Sequence, residues 1–330
     1  MPEARLFNNS RQLQAFRRQI LSWYHTNQRD LPWRKTRNPY RIWVSEIMLQ
    51  QTRVAAVLEH YRRFLKRFPT VRRLAAASEA DVLAAWSGLG YYRRARMLHR
   101  AAKQLVAERD GRVPKTSAEL QQLAGIGRYT ANAIASIAFG EPVAVVDGNV
   151  ERVLNRLTRA EVSGQRLWTA AQELLDPANP SDFNQAMMEL GATICTPTAP
   201  LCRNCPISKH CASESRTIQN ARTRQKRQRR TALLLLRRRR DMILLGRRSG
   251  RESLMPGMWE LPQLKAAGPA GPATMKLSHS ITTTDWTVEV FASGDPERRA
   301  SLKWVPMAQL GTLPLTGLTR KILRKLKLLA

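Results

Sequence analysis

The chain has 330 residues, an ordinary apolar share of 43%, and a formal net charge of +30 from 55 Lys and Arg against 25 Asp and Glu. That length allows two domains with separate cores, and self-repulsion of that size is tolerable when the partner is a polyanion, either nucleic acid or an anionic membrane surface. No run of about 18 apolar residues is present and Met-Pro-Glu-Ala-Arg carries no apolar signal core, so a membrane-spanning helix is excluded and a cytoplasmic monomer is expected.

Residues 11–28 place Leu13, Phe16, Ile20 and Trp23 at helical spacing, which predicts an amphipathic helix. Arg29-Asp-Leu-Pro-Trp-Arg34 breaks it, because Pro32 demands an extended approach. Arg29 and Trp33 in such a loop suit clamping a base, and equally suit plugging a helix junction. Residues 41–66 read as one long helix with a stripe of Ile47, Val54, Leu58, Tyr61 and Leu65. Near its start, Glu46 directly precedes Ile47 and Met48. A carboxyl desolvated there has a raised pKa and can carry a proton; the plain alternative is a first-turn acid serving the helix dipole. Gln50 and Gln51 are flat donors and acceptors that can read base edges or simply cover a surface.

Between residues 71 and 110, two helical segments flank Trp86-Ser-Gly-Leu-Gly-Tyr-Tyr-Arg-Arg-Ala-Arg96. Tyr91 there is one of the aromatics interleaved with arginines, a pattern that suits nucleic acid as well as a packed turn. Residues 117–124 lead into a tight turn at Gly125 and Gly127, and a helix starts near Thr130 and ends at Gly140. Glycines permit the turn, and the free N–H groups of the following helix make an anion site. Asp147, twenty residues past Gly127, ends that stretch beside Gly148. A helix-capping glycine and a turn aspartate are the plainer alternatives. Further helices are predicted at 149–158, 165–176 and 183–194, and no alternating strand pattern precedes residue 212.

Cys195, Cys202, Cys205 and Cys211 are all the cysteines of the chain. Four thiolates in seventeen residues hold a cubane iron–sulfur cluster or a tetrahedral zinc, and spacing alone does not choose. Arg203, Lys209 and His210 add positive charge to that loop. Residues 212–230 are polar and very basic and read as a linker. From Thr231 the pattern changes to strands at 232–236, 242–245 and 286–291, a hairpin tip at 237–241, and a helix at 317–328. The expected layout is an all-α domain over 1–211, a linker over 212–230 and a small α/β module over 231–330.

Leu31-Pro-Trp33, Ser45 to Thr52, Gly88 to Tyr92, Gly125-Ile-Gly-Arg-Tyr129, Val146 to Val150, Phe183 to Gly191 and the four cysteines occur in that order. Jointly they resemble the helix-hairpin-helix DNA glycosylase superfamily, and more narrowly the MutY-type adenine DNA glycosylases, over about residues 20–211. The resemblance implies a mainly α, two-lobed glycosylase domain with a [4Fe-4S] cluster on the cysteines, and a Nudix-like C-terminal domain. It implies Glu46 as the acid that protonates adenine, Asp147 as the carboxylate that stabilises the sugar cation, Asn149 supporting it and Tyr129 beside it. Arg29, Trp33 and Gln185 match positions near the flipped adenine, and Gln51 and Tyr91 match residues inserted into the base stack. The resemblance also implies that the turn at Gly125 and Gly127 grips the DNA strand.

The partner implied is duplex DNA with adenine opposite 8-oxoguanine or guanine. Endonuclease III-type relatives carry a lysine at the position of Tyr129, so a monofunctional glycosylase that leaves an abasic site is expected. The family's Phe-Ser-His turn, which recognises 8-oxoguanine, corresponds to Ile281-Thr282-Thr283, with Thr282 keeping a hydroxyl and His279 upstream. A related helix-hairpin-helix glycosylase for another mispaired or damaged base, such as thymine opposite guanine, and a non-enzymatic DNA-binding iron–sulfur protein are the competing readings. Binding alone needs neither Glu46 nor Asp147.

Overall fold

The computed structural model describes residues 7, 9–158, 162–212, 227–252, 254–265, 271–281, 283–297 and 301–329. The helices in chain order are α1 (Ser10–Asn27), α2 (Pro39–Leu49), α3 (Val54–Arg67), α4 (Val71–Ala76), α5 (Glu79–Trp86), α6 (Arg93–Arg109), α7 (Ser117–Leu120), α8 (Arg128–Phe139), α9 (Gly148–Thr158), α10 (Gly164–Leu174), α11 (Pro180–Thr193) and, after the strands, α12 (Gly317–Lys325). The strands are β1 (Gln228–Leu235), β2 (Arg238–Arg239), β3 (Met242–Arg247), β4 (Trp259–Glu260), β5 (Met275–Ile281), β6 (Thr284–Phe291) and β7 (Ser301–Pro306). Among the described residues no strand precedes Gln228, so the N-terminal part is all-α as its periodicity predicts. No described helix is long and apolar enough to cross a membrane.

The chain forms two compact units that do not follow chain order: Met1–Gln51 with Ala101–Ala221, and Thr52–Arg100 with Arg222–Ala330. The first unit's core joins α1, α9, α10 and α11 through Phe16, Ile20, Val153, Leu154, Leu174, Phe183 and Leu190. On α1 the buried side chains are Phe16, Ile20 and Tyr24, four residues apart, and Asn9 caps the helix by accepting from the Gln12 amide at 2.9 Å. Leu13 and Trp23 lie at the margin of that core.

In the second unit, β1 pairs parallel with β6, and β5 runs antiparallel on its other side. A second sheet has β3 between β2 and β4, with β7 also pairing to β3. Leu234, Ile243, Leu245, Val288, Val290, Leu310, Ile322 and Leu323 close the core between the sheets and α12. This is the α/β module expected from the strand pattern, with the turn at Arg240 and Asp241 as predicted. Its first strand begins at Gln228, inside the stretch expected as linker; residues 213–226 of that stretch lie outside the described residues.

The single helix expected over 41–66 is two helices. It ends at Leu49 and resumes at Val54, and Gln51 between them has a left-handed backbone, φ 55°. Glu46 consequently sits in the last turn of α2, not near a helix start, so it does not serve the N-terminal dipole.

Candidate active site and cysteine loop

α2 is buried on nearly every side, which makes it a core helix and not a surface amphipath. Asn38 caps it through the Arg41 amide and Pro39 fits its first turn. Glu46 is therefore carried into the interior, 5% exposed. Its Oε2 accepts a hydrogen bond from the Tyr129 hydroxyl at 2.7 Å. Burial pushes the Glu46 carboxyl up to about 7, against the opposing effect of the Tyr129 hydrogen bond; nearby Asp147 raises it further and Arg34 lowers it. Burial, and then the charge of Glu46, hold the Tyr129 phenol well above its ordinary range. Tyr129 thus acts here as a hydrogen-bond donor. Its hydroxyl also lies 3.8 Å from the Met188 sulfur.

Tyr129 is delivered by the turn between α7 and α8. Gly125 takes φ 75°, a conformation open to glycine, and the Ile126 amide closes the turn on Leu123 O at 3.1 Å. Gly127 caps α8 without a side chain, so the first-turn N–H groups of α8 have no side-chain cap. The first helix of the pair is shorter than expected, ending at Leu120, and the second starts two residues earlier, at Arg128.

The segment 142–146 that leads to Asp147 belongs to no helix and no sheet. Its backbone groups are met by side chains instead. Asn132 donates to Ala144 O at 2.6 Å, Gln172 bonds Ala144 N and Pro142 O, and Asn184 bonds Val145 N and Val143 O. Three amide side chains thus satisfy a backbone that would otherwise lose its partners. Asp147 stands just ahead of α9 as its capping acid. Its Oδ1 accepts from Asn149 N at 2.9 Å and Val150 N at 2.8 Å, and its Oδ2 from the Asn149 amide at 2.8 Å.

Asn149 is itself held by Arg152, whose guanidinium donates to Asn149 Oδ1 at 2.8 Å, Gly191 O at 2.6 Å and Cys195 O at 2.8 Å. Gly191 is required there: a Cβ on it would lie 2.6 Å from Asn149 Cβ.

One face of α11 adds Gln185, Met188 and Glu189. Glu189, which the sequence does not single out, accepts from Arg29 N and Nε and from the Arg29 and Arg34 guanidinium groups, the last two at 2.7 Å. Burial by itself would raise its pKa; the two arginines outweigh it and hold the carboxyl at about 2. Arg29 is thus anchored and half exposed, Trp33 is buried in a 3₁₀ turn over Pro32–Arg34, and Gln185 bonds Ser181 O and Oγ. Gln50 donates to the Thr130 hydroxyl at 3.2 Å, beside Tyr129. Gln51 and Tyr91 are both exposed and both left-handed, φ 55° and 47°. His279 is partly buried on β5 opposite Trp286, and Thr282 lies outside the described residues.

None of the four cysteines forms a disulfide. Cys195 follows α11, and 3₁₀ turns at Cys202–Asn204 and Ser208–His210 set the other three. Burial pushes the Cys205 thiol up to about 11, and the charges of Cys195, Cys211 and Cys202 add to that shift. Cys195, Cys205 and Cys211 pack on the first unit's core. Arg156 places its guanidinium 3.2 Å from Cys195 Sγ, a counter-charge for a ligated thiolate. Among the described residues no three side chains are grouped as ligands of a single metal ion. Four thiols on one loop, none of them in a disulfide and one of them against an arginine, are the donor set that a multi-iron cluster takes.

Residues 44–176 match the model of the HhH-GPD superfamily base excision DNA repair protein. A solved thermostable thymine-DNA glycosylase is 31% identical, with a TM-score of 0.58 over 61% of this chain and 96% of that one. A trapped endonuclease III–DNA covalent intermediate is 25% identical, with a TM-score of 0.55 over 62% of this chain and 97% of that one. The chain belongs to the HhH-GPD superfamily of base excision DNA repair proteins. Within it, the similarity is to the MutY-type group: the adenine DNA glycosylase of Rattus norvegicus is 51% identical over 230 residues, which are 65% of this chain and 44% of that protein. The chain spans less than half the length of the mammalian relatives it matches.

Proposed function

We propose that this protein is a monofunctional adenine DNA glycosylase that hydrolyses the N-glycosidic bond of adenine opposite 8-oxoguanine or guanine in duplex DNA. The observation that carries the reading is the pair of carboxyls in opposite environments: Glu46 buried and raised to about 7, Asp147 held by three donated hydrogen bonds. A neutral acid and a fixed anion are what this bond cleavage needs. Tyr129 occupies Oε2 of Glu46, which leaves Oε1 to pass a proton to a ring nitrogen of the adenine. The C1′–N bond then breaks with its electron pair going to the base, and the carboxylate of Asp147, braced by Asn149, stabilises the sugar cation. Water adds at C1′ and gives its proton to the Glu46 carboxylate, which restores the acid. Tyr129 offers no amine for a Schiff base, so the product is an abasic site.

The base must leave the stack to reach this interior site. Gln51 and Tyr91, exposed at strained turns, suit insertion into the gap. Arg29, Trp33, Gln50 and Gln185 suit the extruded adenine, and the N–H groups after Gly125 and Gly127 suit a phosphate. His279 and Thr282 are the candidates for reading the opposing base. Cys195, Cys202, Cys205 and Cys211 would hold a [4Fe-4S] cluster, which supplies a covalent staple for a loop bearing Arg203 and Lys209. Iron and acid-labile sulfide in the purified protein, lost in Cys202→Ser, test that assignment.

The deciding experiment is single-turnover base release from duplexes with adenine opposite 8-oxoguanine, adenine opposite guanine and thymine opposite guanine. Adenine release from the first two is expected. Release of thymine alone would replace this reading with the thymine-specific one.

A further inference from the structure

Tyr91 is 52% exposed, at the tip of the turn between α5 and α6. Gly88, Gly90 and Tyr91 in that turn all have left-handed backbone, φ 108°, 72° and 47°. Glycine accepts this freely, but a bulky residue is strained there and keeps the conformation only where its surroundings over-determine it. Two sets of contacts do so. One is local: Trp86 Nε1 donates to Gly90 O at 3.2 Å, and Arg94 lies over the Trp86 and Tyr91 rings.

The other set comes from the C-terminal module in the same unit. Ser87 Oγ donates to Leu315 O at 2.6 Å, and the Tyr92 hydroxyl donates to that same carbonyl at 3.3 Å. Arg320 Nε donates to Ser87 Oγ at 2.8 Å. The residues flanking the strained tip are thus tied to one point. That point is fixed: Leu315 is fully buried, its neighbours exchange backbone hydrogen bonds with Trp259 at 2.9 Å, and Thr316 caps α12.

We propose that Arg320 is a positioning residue for base extrusion. Acting through Ser87, it holds the 87–92 turn so that Tyr91 stands ready to enter the base stack. The C-terminal module then takes part in opening the duplex, apart from any contact it makes with the opposing base. The inference rests on the reading of Tyr91 as the inserted residue, and the test separates the two.

Stack opening is followed by stopped-flow fluorescence of 2-aminopurine placed beside the target adenine, opposite 8-oxoguanine, with the full chain. Arg320→Met should slow opening about tenfold, Arg320→Lys should recover most of it, and Ser87→Ala should behave like Arg320→Met. In a Tyr91→Ala background, Arg320→Met should add less than about twofold, because residues acting through one another are not additive. An equal loss in both backgrounds would mean a general structural role and overturn the proposal. So would unchanged opening in Arg320→Met and Ser87→Ala when Tyr91→Ala slows it. Unchanged opening in Tyr91→Ala would remove the reading of Tyr91, and the proposal with it.

Discussion

At the scale of single residues, Glu46 is costly to keep and useful for that reason. Its raised pKa means the folded chain holds a proton that the unfolded chain has already released. Between the usual glutamate range and about pH 7 the folded state binds more protons, so this group's contribution to stability declines as pH rises through that window. The same protonation is what base release requires. Single-turnover release should therefore fall as pH rises through about 7. Glu46→Gln should abolish release while DNA binding persists, and it should raise the melting temperature above pH 7 by about 2 °C or more, since an uncharged isostere replaces a buried anion. Unchanged turnover in that variant would refute the acid role. Tyr129→Phe has a different signature. It removes a donor that favours the Glu46 carboxylate, so the falling limb of the pH profile should move to higher pH. A limb that moves down or stays in place would show that Tyr129 does not tune the acid.

Between elements, the tightest constraint is the approach of α11 to the start of α9 at Gly191. A glycine-to-alanine change inside a helix ordinarily stabilises by about 1 kcal/mol. Here the new Cβ would fall 2.6 Å from Asn149 Cβ and 2.9 Å from its carbonyl oxygen, an overpacking cost of about 1–3 kcal/mol. The clash wins. Gly191→Ala should lower the melting temperature and, by displacing the residue that braces Asp147, lower base release at least about tenfold. A variant as stable and active as the parent would show that α9 can shift without cost.

Much of this frame is legible in the sequence. α1, α8, α9 and α11 follow apolar periodicity, and Glu46 beside Ile47 and Met48 reads as a desolvated acid. What is not legible depends on distant partners. The break after Leu49 has no proline or glycine to announce it, and Gln51 there takes a left-handed conformation that residues with a side chain rarely adopt. The 142–146 segment is supported by Asn132, Gln172 and Asn184, none of them local to it. Glu189 looks like any helix acid until Arg29 and Arg34 converge on it from a loop 160 and 155 residues away.

Over the whole molecule, the question is how much of the +30 charge is available to DNA. Part of it is committed internally. Arg17 caps α10 through Leu174 O, Arg29 and Arg34 neutralise Glu189, Arg152 and Arg156 brace the cysteine loop, and Arg248 pairs with Glu252 and Glu260. With 55 cationic side chains, these commitments leave a large surplus for phosphate. A protein that neutralises six to ten phosphates loses about 10³ to 10⁵ in affinity between about 50 and 200 mM salt. Affinity for any duplex, with or without a mispair, should fall by about that factor in a salt titration. The single-turnover rate at saturating protein should change far less, because Glu46 is buried from solvent ions. A loss of less than about tenfold in affinity would mean that the cationic surplus does not engage the backbone. An equally steep loss of the saturated rate would mean that salt acts on the catalytic carboxyls and not on the grip.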